Sequence, residues 1–276
     1  MQHADPAPSQ LEDEYLFGWD STPGIVSAWA NRSGEAIIWR REGERVSCSK
    51  ERFRPWVFAT TLDDLASAHP FSSTSERSIG ITYRELDGEP GSYSFLLSSS
   101  DGRLLEREVS RGASKRLQRQ VTSINQLEGE YHQVGPVEQY LMSSGRVYFR
   151  GLSYENLRRL QFDLETTSLD PRLGRIFMVA VRDSHGLATA LEARQPEDEA
   201  RLIADLCALI RERDPDVIEN HNLFGFDLPF LEQRAAVLCS DNNVRYQEIK
   251  IATENNVRYR SHAVHRRSQV DGYSLA

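Results

Sequence analysis

Two carboxylates two residues apart are the first feature of this sequence that could do chemistry. Asp163 and Glu165 lie in the segment 160–165, which predicts a short strand. Successive side chains of a strand point to opposite faces, so these two carboxylates share one face while Phe162 and Leu164 point into a core. Neighbouring carboxylates repel each other unless a cation lies between them. The pattern therefore indicates either a site for a hard divalent ion such as Mg2+ or Mn2+, or a solvated strand edge that carries two acidic residues.

A third carboxylate follows in a different setting. Residues 216–219 predict the end of a strand, residues 220–225 predict a turn, and a helix is expected to begin at Phe226. This order of elements predicts that Asp227 lies near the N-terminus of a helix. We expect its side chain to face the mouth at which the strand of Asp163 ends.

The two stretches together resemble the first and second motifs of the 3′-5′ exonuclease domain of family B DNA polymerases. The first motif is Phe-Asp-x-Glu-Thr at residues 162–166. The second is Asn222 followed by Phe-Asp-x-Pro-Phe-Leu at residues 226–231. Residues 54–60 also resemble a segment near the start of these polymerases, and residues 134–149 resemble the segment that leads into their exonuclease domain.

The resemblance implies an enzyme, a metal-dependent 3′-5′ exodeoxyribonuclease of the proofreading type that acts in DNA replication. It implies a single-stranded DNA 3′ end as the partner and two divalent ions, Mg2+ or Mn2+, as cofactors. The residues implied as both catalytic and metal-binding are Asp163, Glu165 and Asp227. Asp163 would bridge both ions, Glu165 would hold the water-activating ion, and Asp227 would hold the other.

Four further residues are implied as nucleic-acid contacts. Thr166 and Leu169 would contact the terminal nucleotide, Asn222 the strand backbone, and Phe226 a base or sugar by stacking. Each has a structural alternative, because a threonine can simply end a strand, a leucine can pack within a loop, and an asparagine can hold a turn. Phe226 can equally belong to the core. His221 beside the motif is expected to be a hydrogen-bonded structural histidine.

The third exonuclease motif of the family, Tyr-x-x-x-Asp, does not occur in the sequence. Lys250 stands four residues after Tyr246, Ala263 stands four residues after Tyr259, and the segment 265–271 is one residue too long for the histidine form of the motif. We therefore expect a chain that is truncated before this motif, with weak metal binding and slow turnover. The Tyr-Gly-Asp-Thr-Asp motif of the polymerase site is also missing, so no polymerase activity is expected.

Two other functions stay open. The carboxylates could be inherited geometry in a non-catalytic nucleic-acid-binding fragment of the same family. The chain could also be a stand-alone ribonuclease of the same fold. Degradation of single-stranded DNA compared with RNA would separate the ribonuclease from the exonuclease.

The order of predicted elements indicates an α/β protein. Three strands (160–165, 175–182, 187–193), a helix (197–213), a strand (216–219) and a helix (226–237) match a ribonuclease-H-like exonuclease domain, which has a mixed sheet with flanking helices. A smaller, β-rich α+β domain precedes it, with a strand at 15–20, further β structure to residue 60, and helices at 61–68 and 103–120. The predicted domains are a disordered lead-in (1–14), a family-B-like N-terminal domain (15–150), a partial 3′-5′ exonuclease domain (151–237) and a basic tail (238–276).

Composition bounds the function. The chain has 276 residues, of which 39% are hydrophobic and 27% charged, which is typical of a globular protein. Its formal net charge of −8 argues against a protein that coats nucleic acid by overall attraction. The three cysteines have no metal-ligand spacing, and no apolar run is long enough to span a membrane. We expect a cytoplasmic protein with no membrane partner, accompanied by a polymerase domain in the full-length protein.

Overall fold

A computed structural model describes residues 18–65, 71–72, 80–88 and 92–242. The predicted lead-in at 1–14 and nearly all of the predicted tail at 238–276 lie outside the described residues. Within them, the chain divides into two compact units. The first unit contains residues 18–22, 28–38 and 48–147, and the second contains residues 23–27, 39–47 and 148–242.

The elements are numbered in chain order. The strands are β1 (Ile25–Ala30), β2 (Glu35–Glu42), β3 (Arg45–Arg52), β4 (Trp56–Ala59), β5 (Phe71–Ser72), β6 (Ile81–Glu85), β7 (Phe95–Ser99), β8 (Tyr131–His132), β9 (Arg159–Thr166), β10 (Ile176–Asp183), β11 (Ala188–Glu192) and β12 (Val217–Glu219). The α-helices are α1 (Gly102–Leu117), α2 (Pro136–Ser144), α3 (Glu199–Arg213) and α4 (Leu228–Asn242). In this part of the chain no helix is long and apolar enough to cross a membrane.

A mixed four-stranded sheet organises the second unit. Its strand order is β11-β10-β9-β12, with β10 antiparallel to both β9 and β11, and β12 parallel to β9. Strand β9 alternates as predicted, because Leu160, Phe162 and Leu164 are buried while Asp163 and Glu165 are exposed. The buried side chains join those of α3 and α4 in one hydrophobic cluster. The predicted α/β arrangement of a mixed sheet with flanking helices is confirmed.

The first unit contains a five-stranded sheet in the order β5-β6-β7-β4-β8. Helix α1 packs its apolar stripe, formed by Leu105, Val109 and Ala113, into the same cluster as the buried residues of β4, β6 and β7. The N-terminal cap of α1 is Asp101, whose carboxylate accepts the backbone N–H of Arg103. The prediction of a β-rich α+β region in the N-terminal part of the chain is confirmed.

Two local predictions in the first unit are wrong. Residues 18–20 form no strand, although the sequence predicts one at 15–20. The helix predicted at 61–68 is, within the described residues, only a 3-10 turn at Asp63–Leu65. Tertiary contacts explain this turn, because the buried Asp64 carboxylate is held by Arg116 at 2.8 and 3.0 Å. The hydroxyl of Tyr131 donates a further hydrogen bond to the same carboxylate at 2.9 Å.

Candidate active site

Asp163 and Asp227 are brought together from two elements that are distant in sequence. Asp163 projects from the exposed face of β9, and Asp227 is the last residue of a π-helical turn, Leu223–Asp227, that leads into α4. Asp227 is only 3% exposed. The pKa of Asp227 is raised to about 6, mainly by burial and also by the negative charge of Asp163. The two carboxylates therefore destabilise each other in the absence of a cation.

The Asp227 carboxylate is tied to strand β9. It accepts hydrogen bonds from backbone N–H groups, one of them that of Leu164, which partly offset the rise in its pKa. Strand β12 ends at Glu219, which is opposite Gln161. Among the described strands, β12 therefore pairs with β9 only up to Gln161, and the N–H of Leu164 can point to the carboxylate instead.

Asn220 lies next to this pair. Its side chain also lowers the pKa of Asp227, so the amide is close to the carboxylate. The Oδ1 of Asn220 accepts the backbone N–H of His221 at 2.7 Å. Its Nδ2 is buried and forms no hydrogen bond of normal geometry within the described residues.

Glu165 lies on the same face of β9 as Asp163, as predicted, and is exposed. It is opposite Met178 of β10, whereas the next residue, Thr166, is opposite Ile176. Phe177 is therefore the extra residue of a β-bulge, a feature that bends a strand and redirects its side chains. Across residues 18–242, leaving out the gaps, no group of three or more His, Cys, Asp or Glu side chains is close enough to hold a metal ion.

The donor chemistry of the pair fits a hard divalent ion. Asp163 and Asp227 supply carboxylate oxygens, which Mg2+ and Mn2+ prefer, and a cation would offset the repulsion that raises the pKa of Asp227. The structure thus assembles two of the three predicted ligands. The participation of Glu165 stays a prediction, because it shares the strand face without joining a three-carboxylate group.

The loop that follows β9 presents apolar side chains to solvent. Leu169 is 82% exposed, and Leu173 is equally exposed. The loop closes at its base, where the N–H of Thr167 donates to the carbonyl of Arg175 at 3.0 Å and the N–H of Arg175 donates to Oγ1 of Thr167 at 3.0 Å. Leu169 is therefore not packed within its loop, and Thr166, the last residue of β9, is half-buried beside it.

Gly174 lets this loop close tightly. A Cβ at this position would come within 2.9 Å of the backbone N and O atoms of Ser168. We expect Gly174→Ala to shift the loop and to lower the free energy of unfolding by about 1–3 kcal/mol, because backbone atoms cannot move aside as side chains do. Urea unfolding would measure the change. Leu173→Ala is the control, since this side chain is exposed, and an equal loss in both variants would contradict the expectation.

The turn at 220–226 carries Asn222 and Phe226, the other two residues that were predicted to contact nucleic acid. The side chain of Asn222 is exposed, while its carbonyl accepts the backbone N–H groups of Gly225 at 3.1 Å and Phe226 at 2.8 Å. Phe226 is half-buried, and its ring lies 5.2 Å from that of Phe230. It belongs in part to the core, so one side of the ring is taken by packing. The nucleic-acid contacts assigned to Asn222 and Phe226 stay predictions.

An open groove of about 750 Å3 runs over the exposed face of the sheet beside Asp163. Its lining residues come from β9, β10, β11 and the turn after β12: Gln161, Phe162, Asp163, Ala180, Val181, Arg182, Ala188, Thr189, Glu219, Asn220 and His221. Arg182 and Asn220 line this groove and were not predicted from the sequence. Strand alternation puts Arg182 on this face, but only the register, in which it is opposite Gln161, brings it to the groove. His221, expected to be structural, is exposed here.

Comparison with known proteins points in one direction. A family model described as DNA polymerase family B, exonuclease domain, matches residues 179–276. DNA polymerase 2 of Aeropyrum pernix is 34% identical over 88 residues, which are 30% of this chain and 11% of that protein. A DNA polymerase of Pyrococcus glycovorans is 28% identical over 221 residues, which are 73% of this chain and 27% of that protein.

A solved structure supports the same fold. The family B DNA polymerase of Pyrobaculum calidifontis matches 78% of this chain and 32% of its own chain, with a TM-score of 0.56 and 21% identity. At this identity the likeness concerns the fold. The chain spans about a quarter or less of the polymerases that it matches in sequence. Over part of its length the chain is thus similar to family B DNA polymerases, and the family model that it matches is that of their exonuclease domain.

Proposed function

We propose that this chain is the 3′-5′ exonuclease portion of a family B DNA polymerase and removes nucleotides from the 3′ end of single-stranded DNA. One observation carries the proposal. Asp163 from β9 and the buried Asp227 from the turn before α4 lie close enough for their charges to interact, beside an open groove. A protein that gathers uncompensated carboxylates in this way is prepared for a cation.

The residues that would hold the metal ions are Asp163, Glu165 and Asp227. Two divalent ions bound by these carboxylates would supply an activated water and stabilise the charge that develops on the leaving 3′ oxygen. The protein itself positions the three carboxylates. The N–H of Leu164 and the buried setting hold Asp227, and the alternation of β9 aims Asp163 and Glu165 away from the core.

The exposed side chains around the carboxylates would bind the DNA end. Thr166 follows Glu165 directly and Leu169 lies in the loop just beyond it, and the 82% exposure of Leu169 supports a contact with the terminal nucleotide. Asn222 presents its side chain to solvent for the strand backbone. Phe226, packed on Phe230, offers only part of its ring for stacking on a base or sugar.

A time course with labelled single-stranded DNA tests the proposal. We expect stepwise loss of nucleotides from the 3′ end in the presence of Mn2+ or Mg2+, and none after chelation with EDTA. Asp163→Asn, purified in the same way, is the control for contaminating nucleases and should release no nucleotides. If wild-type protein and Asp163→Asn release nucleotides equally, or if neither does so with metal, the exonuclease proposal fails.

A second function is favoured by one observation. In the part of the chain that the structure describes, Glu165 does not complete a three-carboxylate group with Asp163 and Asp227. A non-catalytic fragment that binds nucleic acid through the groove needs no such group. If this function is correct, the protein binds single-stranded DNA when the two are titrated against each other but releases no nucleotide in the time course. Labelled RNA in a parallel arm identifies the third possibility, a ribonuclease of the same fold.

A further inference from the structure

A buried ion pair links helix α3 to helix α4, the helix that follows Asp227. Glu199, at the start of α3, is 1% exposed, and Arg234 of α4 is 8% exposed. The guanidinium donates to both carboxylate oxygens, with Nε–Oε1 at 2.8 Å and Nη2–Oε2 at 2.5 Å. Such a bidentate contact restricts both position and orientation.

The pair also binds backbone on either side of the loop after β9. Oε1 of Glu199 accepts the N–H of Ile176, the first residue of β10, at 2.8 Å. Nη1 of Arg234 donates to the carbonyl of Pro171, within the loop itself, at 3.0 Å. We call Glu199 and Arg234, with these two backbone contacts, the Glu199–Arg234 clamp. It joins the loop 167–174, the start of β10, α3 and α4.

Stability alone does not account for this arrangement. Removing two charges from water is costly, and apolar residues of similar volume often replace a buried ion pair with no loss of stability. Apolar side chains could not, however, bond the carbonyl of Pro171 and the N–H of Ile176. The clamp therefore supplies something specific, which is a fixed relation between the loop and α4.

Both the loop and α4 adjoin the candidate site. The loop 167–174 follows Glu165 and carries Leu169, and α4 begins directly after Asp227. We propose that the Glu199–Arg234 clamp is a positioning device for the DNA 3′ end, because it fixes the loop that meets the terminal nucleotide relative to the helix that follows Asp227. This inference rests on the proposed exonuclease function. Glu199 and Arg234 are positioning residues, since they are buried and touch no substrate.

Arg234→Lys tests the clamp with the charge retained. A lysine keeps the charge but offers one nitrogen in place of the three that Arg234 uses, so it cannot reproduce the bidentate contact with Glu199 together with the separate bond to the carbonyl of Pro171. We expect the amides of residues 167–174 to exchange hydrogen at least about tenfold faster than in wild type. The KM for release of the 3′ nucleotide should rise at least about fivefold, with kcat changed less than about twofold, because binding of the end is impaired rather than the chemistry.

Two controls separate positioning from general destabilisation. Arg201→Lys makes the same change in an exposed pair of α3, where Arg201 contacts Asp205 at 3.6 Å, and should leave both readouts unchanged. Ile203→Val removes one methyl group from the core of the same unit and lowers stability without changing any group of the clamp. If Arg234→Lys does not fold, Glu199→Gln replaces it, since its amide oxygen can still accept from Ile176.

The exchange experiment tests the positioning role of the clamp independently of the proposed function. Equal exchange of residues 167–174 in Arg234→Lys, Arg201→Lys and Ile203→Val overturns the inference. If the wild-type protein releases no nucleotide, the proposed function fails, and the affinity for a free 3′ end over circular single-stranded DNA becomes the second readout. Loss of this preference in Arg234→Lys alone would support the clamp, and its retention would overturn it.

Discussion

Asp227→Asn is expected to make the protein more stable and at the same time inactive. At pH 8 in the presence of EDTA, we expect the free energy of unfolding to rise by about 1–3 kcal/mol, because the substitution removes a buried charge that is repelled by Asp163. Asparagine keeps an oxygen that can accept the N–H of Leu164. Metal-dependent nucleotide release should fall by at least about 100-fold, since the ions lose a ligand.

The gain in stability of Asp227→Asn should depend on pH. The pKa of Asp227 is raised from 3.8 to about 6 in the folded protein. The folded state therefore binds more protons than the unfolded state between these values, and its stability falls as the pH rises through this window. The difference in the free energy of unfolding between Asp227→Asn and wild type should be small at pH 4. It should grow to its full size above pH 6.

Urea unfolding at pH 4 and pH 8, with and without Mn2+, would measure both effects. Mn2+ should stabilise the wild-type protein at pH 8 and have much less effect on Asp227→Asn. Asp205→Asn is the matched control, because it removes an exposed carboxylate of α3. A variant less stable than wild type at pH 8 would show that Asp227 is held by favourable contacts and is not a prepared metal ligand.

Asp216→Ala is expected to cause the largest loss of stability in the second unit. Asp216 is 1% exposed, and its carboxylate forms an ion pair with the buried Arg41 of β2. It also accepts the backbone N–H of Arg158 at 3.0 Å, directly before β9. Removing the carboxylate leaves the guanidinium of Arg41 with the Asp214 carboxylate, at 2.9 Å, and with backbone carbonyls, and it leaves the N–H of Arg158 without this acceptor. A loss of about 3–5 kcal/mol in the free energy of unfolding follows.

A double variant distinguishes this cause from simple loss of packing. Arg41→Met combined with Asp216→Leu removes both charges and fills a similar volume, so it should recover most of the stability that Asp216→Ala loses. Asp205→Ala, in the exposed pair with Arg201, should change the free energy of unfolding by less than about 1 kcal/mol. Equal losses in Asp216→Ala and the double variant would mean that the contact with Arg158 carries the effect.

Local periodicity determined much of the fold from the sequence alone. The alternation of β9 predicted that Asp163 and Glu165 face away from Phe162, and the structure confirms this. The apolar stripe of α3 and the order of strands around it predicted the exonuclease-type sheet. These features depend on residues within a few positions of each other, which a periodic pattern encodes directly. Strand β3 lies in a region that was predicted only as β structure, without bounds, because nearly all its side chains are exposed and it shows no alternation.

Only the tertiary structure decided how the candidate site is held. The contact of Asp227 with Leu164, the bulge at Phe177 and the Glu199–Arg234 clamp join residues that are far apart in the chain or depend on register. The sequence shows that a carboxylate is present, but it does not show whether the carboxylate is buried or which charged group lies next to it. Burial and proximity raise the pKa of Asp227, and both arise only when separate elements pack together.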